Sequence, residues 1–355
     1  MHLIEAQRHY QPLINNGLES FLGKQRFLEP FLQDTYGIIK KYIENGGKRL
    51  RPLLAIQAYD AFGGQSGGIF PAAIALELLH NSTLIHDDII DEDERRRGKP
   101  TTHAQLREMF RKDNKEVQYD GTIFSRRSSR FCVATAICAG NILYALSLRS
   151  LSETDTDDSS LQRCQSILTD AIQIVNNGQL LDLAYETSDI TENEYLGMIE
   201  KKTGNLFKAS VEMGAILGQA SPSQFTLISR YAKRLALAFQ IRDDLMDIDP
   251  QSKKANTFGS DIRRGKLTLM AIVAQERCDS SQKALLSGFG NPQASPEQIE
   301  QVIRVFQDTK AIDYTRTVAQ TNVESALDDL KHLDIPRQNK EFFEEFAGFM
   351  IQRDC

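Results

Sequence analysis

The sequence predicts an all-α protein, on three observations. Apolar residues recur at helical spacing through long windows. No run of alternating β-branched residues bounded by hairpin turns is present. Gly and Pro cluster between the windows, at Gly63-Gly64, Gly67-Gly68, Gly98-Lys99-Pro100, Ser221-Pro222 and 288–292. In chain order the helical windows are Leu53-Leu54-x-Ile56, then 72–90, 132–151, 161–183, 195–217 and 225–247. The stretch 161–182 holds no Pro and no Gly before Gly178, which predicts a long core helix. No composition break divides the chain, so a single domain over 1–355 is expected. Residues 107–130 stand apart: they are polar, carry seven Lys/Arg against four Asp/Glu, and read as an inserted or mobile loop, with a basic lid that approaches diphosphate or lipid headgroups as the alternative. Residues 152–160 read as a short acidic loop.

Composition narrows the class. With 355 residues and 41% hydrophobic side chains the chain can bury a substantial core. Its net charge of −6 argues against nucleic acid as the main partner. Cys132, Cys138, Cys164, Cys278 and Cys355 are scattered, odd in number and form no C-x-x-C pair, so a reducing compartment and no structural zinc are expected. The N-terminus lacks a signal-peptide pattern, and no stretch reaches the ~18 uninterrupted apolar residues of a membrane span. A soluble cytoplasmic protein without a transmembrane segment is the expectation.

Two acidic motifs carry the chemistry. Asp87-Asp88-Ile89-Ile90-Asp91 and Asp243-Asp244-Leu245-Met246-Asp247 both read D-D-x-x-D within apolar, helix-compatible sequence. On a helix, positions i and i+4 differ by about 40° in azimuth and i+1 lies nearby, so three carboxylates crowd one quadrant. Like charges so close call for a cation, and all-oxygen donors favour magnesium completed by substrate phosphates. A solvated acidic face explains one such motif, yet explains two poorly, because both follow apolar sequence and stand beside basic runs.

Those basic runs supply counter-charge for an anionic substrate. Arg95-Arg96-Arg97 follow the first motif and are expected to prolong its helix to Gly98-Lys99-Pro100. Gly46-Gly47-Lys48-Arg49-Leu50-Arg51-Pro52 offers glycines that permit close backbone approach, with Lys48 and Arg51 one helical turn apart. His80 lies two turns before Asp87 on nearly the same face, although a lone histidine in apolar sequence is more often a satisfied core residue. His86 and His103 have weaker claims. Lys201-Lys202-Thr203-Gly204 and Gly259-Ser260-Asp261-Ile262-Arg263-Arg264-Gly265-Lys266 read, taken alone, as solvated helix ends.

Together, G-G-K-R-L-R-P, both D-D-x-x-D motifs, R-R-G-K-P-T, K-T-G-x-L-F and F-Q-x-R-D-D resemble the trans-isoprenyl diphosphate synthases, the prenyl-elongating enzymes, from about residue 42 to 266. The resemblance implies one antiparallel helical bundle around a deep apolar cavity, as a homodimer. It implies that Asp87, Asp88, Asp91, Asp243, Asp244 and Asp247 are magnesium ligands or their close supporters, with three ions when diphosphate is bound. It assigns Lys48, Arg51, His80 and Arg97 to isopentenyl diphosphate, and Arg96, Lys202, Thr203, Gln240 and Lys266 to the allylic substrate. Three features depart from the family pattern: the 107–130 segment, Asn141 where many relatives carry Asp, and the spacing between Asp247 and Gly259. That spacing leaves Lys253 and Lys254 unaligned with the lysine often found there.

The implied reaction is head-to-tail condensation of isopentenyl diphosphate with an allylic diphosphate. A class I terpene cyclase would need neither the second motif nor the Lys48/Arg51/His80 cradle. A non-catalytic synthase subunit would not need both clusters intact. Product length is expected to depend on Ser82 and Thr83, which are small and lie just upstream of Asp87, with Leu78 and Leu79 as a lower floor. Geranylgeranyl diphosphate (C20) is the expected product, with longer polyprenyl or farnesyl products as alternatives.

Overall fold

The computed structural model describes residues 1–65, 67–250 and 258–352. Lys253, Lys254 and Cys355 lie outside them. The described residues are almost entirely helical, the strands amounting to one two-residue pair. They group into two compact units: residues 4–168 with 216–218, and residues 1–3, 169–215 and 219–355.

The first unit is built on α1 (Leu3–Gly23), α2 (Pro30–Glu44), α3 (Leu50–Ala61), α4 (Phe70–Ile90), α5 (Thr102–Asp113) and α6 (Arg127–Ser152). Helix α4 is apolar all round and buries Ala72 to Leu79 continuously, as a central helix must. It packs along α6 at very short range. Ser82 Oγ donates to the Gly140 carbonyl at 2.8 Å, and His86 Nε2 lies 3.2 Å from the Ile137 carbonyl. A Cβ at Gly140 would sit 2.2 Å from the His86 ring, so glycine sets this approach. Helix α6 is also long and apolar enough to cross a bilayer, by length and composition, although polar residues interrupt its apolar run. One face, with Cys132, Ala136, Ala139, Gly140 and Leu143, is buried within the protein, while Ile137 is 45% exposed.

Two boundaries differ from expectation. Helix α4 stops at Ile90 rather than running through the arginines. The chain then turns at Glu92, with φ +54°, and forms a hairpin of β1 (Arg95–Arg96) and β2 (Lys99–Pro100). Its two-residue turn, Arg97-Gly98, has positive φ at both positions, the twist a tight hairpin requires. The 107–130 segment is not one loop: α5 continues through Asp113 and α6 begins at Arg127, leaving 114–126 as the connection. Helical periodicity in 107–113 had been masked by its charge.

The second unit contains most of α7 (Asp158–Tyr185), then α8 (Glu192–Ile199), a π-helical turn Glu200–Gly204, α9 (Asn205–Leu217) and α10 (Pro222–Asp247). It continues with α11 (Ser260–Arg264), α12 (Leu269–Arg277), α13 (Ser280–Leu285), α14 (Pro296–Asp308), α15 (Ala311–Lys331) and α16 (Arg337–Gln352). Helix α10, which carries the second acidic motif, starts at a capping box of Ser221 and Gln224 with Pro222 at its first position. Its apolar face joins Tyr195, Met198, Ile241, Leu245, Leu269, Ile299 and Phe306 in one core. Buried Asp329 of α15 binds Arg234 at 2.7 Å and also pairs with Arg230, fixing α15 along α10.

In the first unit a buried ion pair anchors the basic run. Arg49, in the left-handed conformation ahead of α3, is 4% exposed and binds Glu77 of α4 at 2.5 Å. It also donates to Asn15 Oδ1 and the Ile43 carbonyl. Removing one partner leaves the other charge buried, so Arg49→Ala or Glu77→Ala is expected to cost about 3–5 kcal/mol. Urea unfolding followed by circular dichroism checks this, and an unchanged midpoint would refute it.

Candidate active site

In the first unit, the end of α4 and the hairpin β1–β2 build one cluster. The helix places Asp87 and Asp91 at half-buried positions and turns Asp88 inward, where it is fully buried. A lone buried carboxylate is costly, and here both oxygens are engaged. Tyr42 donates its hydroxyl to Oδ2 at 2.7 Å, and Arg96 Nε donates to Oδ1 at 2.5 Å. Arg96 also reaches Asp87 at 3.4 Å and Asp93 at 3.9 Å. Burial pushes the Asp88 carboxyl above its ordinary range, with Arg96 and the Tyr42 hydrogen bond pulling the other way. The hairpin thus folds Arg96 back over the motif, which a continuous helix would not.

The neighbouring groups form a cationic cradle. Arg51 Nη1 lies 3.0 Å from His80 Nε2. Burial, then Arg51, Arg97, Arg96 and Arg49, hold the imidazole well below its ordinary pKa, so it is neutral and accepts from Arg51. Arg97 donates to the Gly46 carbonyl. A Cβ on Gly47, at φ +144°, would come within 3.0 Å of that guanidinium. The glycines do allow close approach, and what approaches is Arg97. Lys48 is half-buried in the same loop, next to the sealed Arg49.

The second unit repeats the theme. Asp243 is half-buried, whereas Asp244 and Asp247 are buried. Tyr195 donates its hydroxyl to Asp244 Oδ2 at 2.6 Å, and Lys266 Nζ stands 4.0 Å from Oδ1. Gln240 donates to the same Oδ1 at 3.0 Å and accepts at its own oxygen from Thr203 at 2.8 Å. Thr203 and Lys202 belong to the π turn, a local widening that re-aims side chains and recurs at functional sites. Lys202 Nζ binds Asp182 at 2.5 Å, and Gly178 lets α7 lie against the Lys202 backbone. The pairing of K-K-T-G and G-S-D-I-R-R-G-K with carboxylates corrects their reading as solvated helix ends.

Asp247 is an N-terminal cap. Its Oδ1 accepts from the Ser260 hydroxyl at 2.7 Å and backbone at 3.2 Å, and its Oδ2 accepts from the Asp261 N–H at 3.0 Å. Burial and the adjacent Asp261 lift it to about 6. Asp244 is likewise lifted to about 6 by burial, against the pull of Lys266. Burial alone would depress Lys266, but Asp244, Asp261, Asp182 and Asp243 outweigh it and keep it charged.

Asp88, Asp244 and Asp247 therefore sit as supports, their oxygens held by protein donors. Asp87, Asp91 and Asp243 are the half-buried members. Tyr42, Tyr195, Asp182 and Asp261 belong to these clusters and were not found from the sequence. Of these only Asp261, within the 259–266 run, carried a signal. Among the described residues no three acidic or histidine side chains converge closely enough to hold an ion alone. Oxygen-only donors of this kind suit magnesium, which takes one or two carboxylates and completes its shell with water and substrate phosphate.

The comparisons agree with this geometry. Residues 33–306 match the polyprenyl synthetase family. The geranylgeranyl diphosphate synthase of Methanosarcina mazei is 33% identical over 325 residues, covering 91% of this chain and 90% of that protein. The structure of the geranylgeranyl pyrophosphate synthetase of Geoglobus acetivorans superposes with a TM-score of 0.81 at 32% identity, covering 99% of both chains. That of the geranylgeranyl pyrophosphate synthase of Corynebacterium glutamicum, complexed with isoprenyl diphosphate and magnesium, gives 0.86 at 26% identity, covering 99% of this chain and 100% of that one. The chain belongs to the polyprenyl synthetase family, with the all-α bundle fold of the isoprenoid synthases. Its activity is trans-prenyl transfer, the condensation of isopentenyl diphosphate with an allylic diphosphate.

The raised carboxyls set a pH dependence. The unfolded chain releases these protons near pH 3.9, whereas native Asp244 and Asp247 hold theirs to about pH 6. Their stabilising contribution is complete below the unfolded value and is lost as pH rises through the native one. Metal-free protein is expected to lose stability between about pH 4 and pH 6.5, and Asp247→Asn to flatten that slope by up to about 2 kcal/mol. Thermal melts in a chelator across this range test it, and identical slopes would count against it.

Proposed function

We propose that the protein is a geranylgeranyl diphosphate synthase that acts as a cytoplasmic homodimer. The observation that carries the chemistry is that each motif combines sealed aspartates (Asp88 in one, Asp244 and Asp247 in the other) with half-buried ones (Asp87 and Asp91, and Asp243) beside fixed cations. Asp87, Asp91 and Asp243 would hold magnesium, with Asp88, Asp244 and Asp247 keeping their helices and loops in register. When bound, the metal polarises the allylic diphosphate and stabilises charge on the departing oxygen. The chain's own part is to hold Arg96, Lys202 and Lys266 charged and positioned for that anion. Lys48, Arg51, His80 and Arg97 orient isopentenyl diphosphate.

The C–O bond of the allylic substrate breaks as diphosphate leaves. The isopentenyl double bond forms the new C–C bond, and the released diphosphate takes up the proton lost from the condensed chain. Thr203 presents its hydroxyl oxygen to the allylic cation, held by its bond to Gln240. No protein nucleophile is required. Asp87→Ala and Asp243→Ala are each expected to lower turnover by about 10²-fold or more with helical content retained. Near-normal activity of both variants at limiting magnesium would defeat the assignment. Incubation with labelled isopentenyl diphosphate separates the rivals. A cyclic product from the allylic substrate alone would indicate a terpene cyclase, and no product a non-catalytic subunit.

The C20 assignment rests on α4. In the family the chain grows from the first acidic motif back along its helix. His80, Thr83, Leu84 and Asp87 share a half-buried face at i, i+3, i+4 and i+7 spacing, while Ser82 is buried against Gly140. Thr83, rather than Ser82, is thus the small residue on the face of Asp87, with buried Leu79 one turn below. Thr83→Phe is expected to shorten the product and Leu79→Ala to lengthen it, read by chromatography of the dephosphorylated alcohols. Ser82→Phe instead overpacks the α4–α6 contact, at about 1–3 kcal/mol. A wild-type enzyme that stops at C15 in excess isopentenyl diphosphate would overturn the assignment.

A further inference from the structure

We propose that the hairpin 117–127 is a docking element for the anionic surface of a lipid bilayer. It is a fixed protrusion. Gln118 and Arg126 pair as an antiparallel bridge, Tyr119 N–H donates to the Ser125 carbonyl at 2.9 Å, and Arg127 N–H donates to the Val117 carbonyl at 3.2 Å. Its foot is closed where Ser128 Oγ donates to Glu116 at 2.5 Å. The Arg130 guanidinium lies 5.4 Å over the Tyr119 ring.

What this hairpin presents is unusual for an acidic protein. Ile123 at the tip is 84% exposed and Val117 is 45% exposed. Half-exposed Phe31 packs on Phe131, one turn into the helix that follows, with ring centroids 5.7 Å apart. At the foot of the same hairpin and the end of α5, Lys112, Lys115, Arg126 and Arg127 are all exposed. An open basin beside the hairpin is lined by Arg111, Lys112, Asn114, Lys115 and Glu116. The chain as a whole carries a net charge of −6, yet residues 107–130 carry seven Lys/Arg against four Asp/Glu.

Cations alone would suit any polyanion, but an exposed isoleucine gains nothing from one. Apolar side chains entering the headgroup boundary while basic groups meet lipid phosphates satisfy both features together. Peripheral docking of this kind needs no membrane span. The inference goes beyond the proposed product, and a vesicle assay reads binding rather than turnover, so the two stand or fail separately.

The test is co-sedimentation of the full chain with vesicles of phosphatidylcholine, alone or mixed with phosphatidylglycerol. Wild type is expected to bind the mixed vesicles and not the neutral ones, and to be released by salt. Ile123→Asp and the double variant Arg126→Glu/Arg127→Glu are each expected to weaken binding at least about tenfold. Both should keep wild-type turnover, helical content and elution volume. Equal binding to neutral vesicles, no binding to either, or wild-type affinity in either variant would overturn the proposal. So would a change of oligomeric state in Ile123→Asp, which would show that the tip meets a second copy of the chain.

Discussion

The constraint on which the site depends is that a carboxylate cannot be buried alone. Each acidic motif places its second aspartate inside the protein, Asp88 in one unit and Asp244 in the other. Each is made tolerable by a tyrosine hydroxyl on one oxygen and a cationic group near the other. These bonds fix more than two side chains. Tyr42 ties α2 to the end of α4, and Tyr195 ties α8 to the end of α10. With the inner aspartate anchored, its helix cannot rotate, and the outer carboxylates keep a defined direction.

The cations are positioned by equally specific backbone features. Arg96 returns to Asp88 because a two-residue turn reverses the chain at Arg97-Gly98. Lys202 and Thr203 are aimed by a π turn, and Asp247 is held by the start of α11, where Gly259 adopts positive φ. Backbone irregularity thus collects next to the charged groups, where regular helices would leave them pointing elsewhere. The result is a set of charges arranged before substrate arrives, which is the usual source of electrostatic catalysis.

The small residues of α4 and α6 serve the same end by a different means. Gly140 allows α6 to lie against His86, and Ser82 and His86 both bond to the α6 backbone. One face of α4 is thereby committed to helix packing. The face bearing His80, Thr83 and Asp87 stays half-buried, on the same rigid helix that carries the first cluster.

The fold class, the strongly periodic helices α3, α4, α6, α7 and α10 and the acidic motifs were legible in the sequence because each is a local property. Periodicity, Gly/Pro punctuation and D-D-x-x-D spacing are all read within about one to seven turns of helix. Lys48, Arg51, His80 and Arg97 were likewise picked out from short runs, and Arg51, His80 and Arg97 gather about one cradle. The inward turn of Asp88, the hairpin that redirects Arg96 and the partnership of Thr203 with Gln240 were not legible. Tyr42 and Tyr195 stand 46 and 49 residues from the aspartates they cap, and nothing in their own neighbourhoods marks them. Sequence by itself determined the all-helical class, the helices of strongest periodicity and the charges they carry. Tertiary structure decided which of those charges are buried and which stay half-exposed, because burial is a property of what packs against a residue.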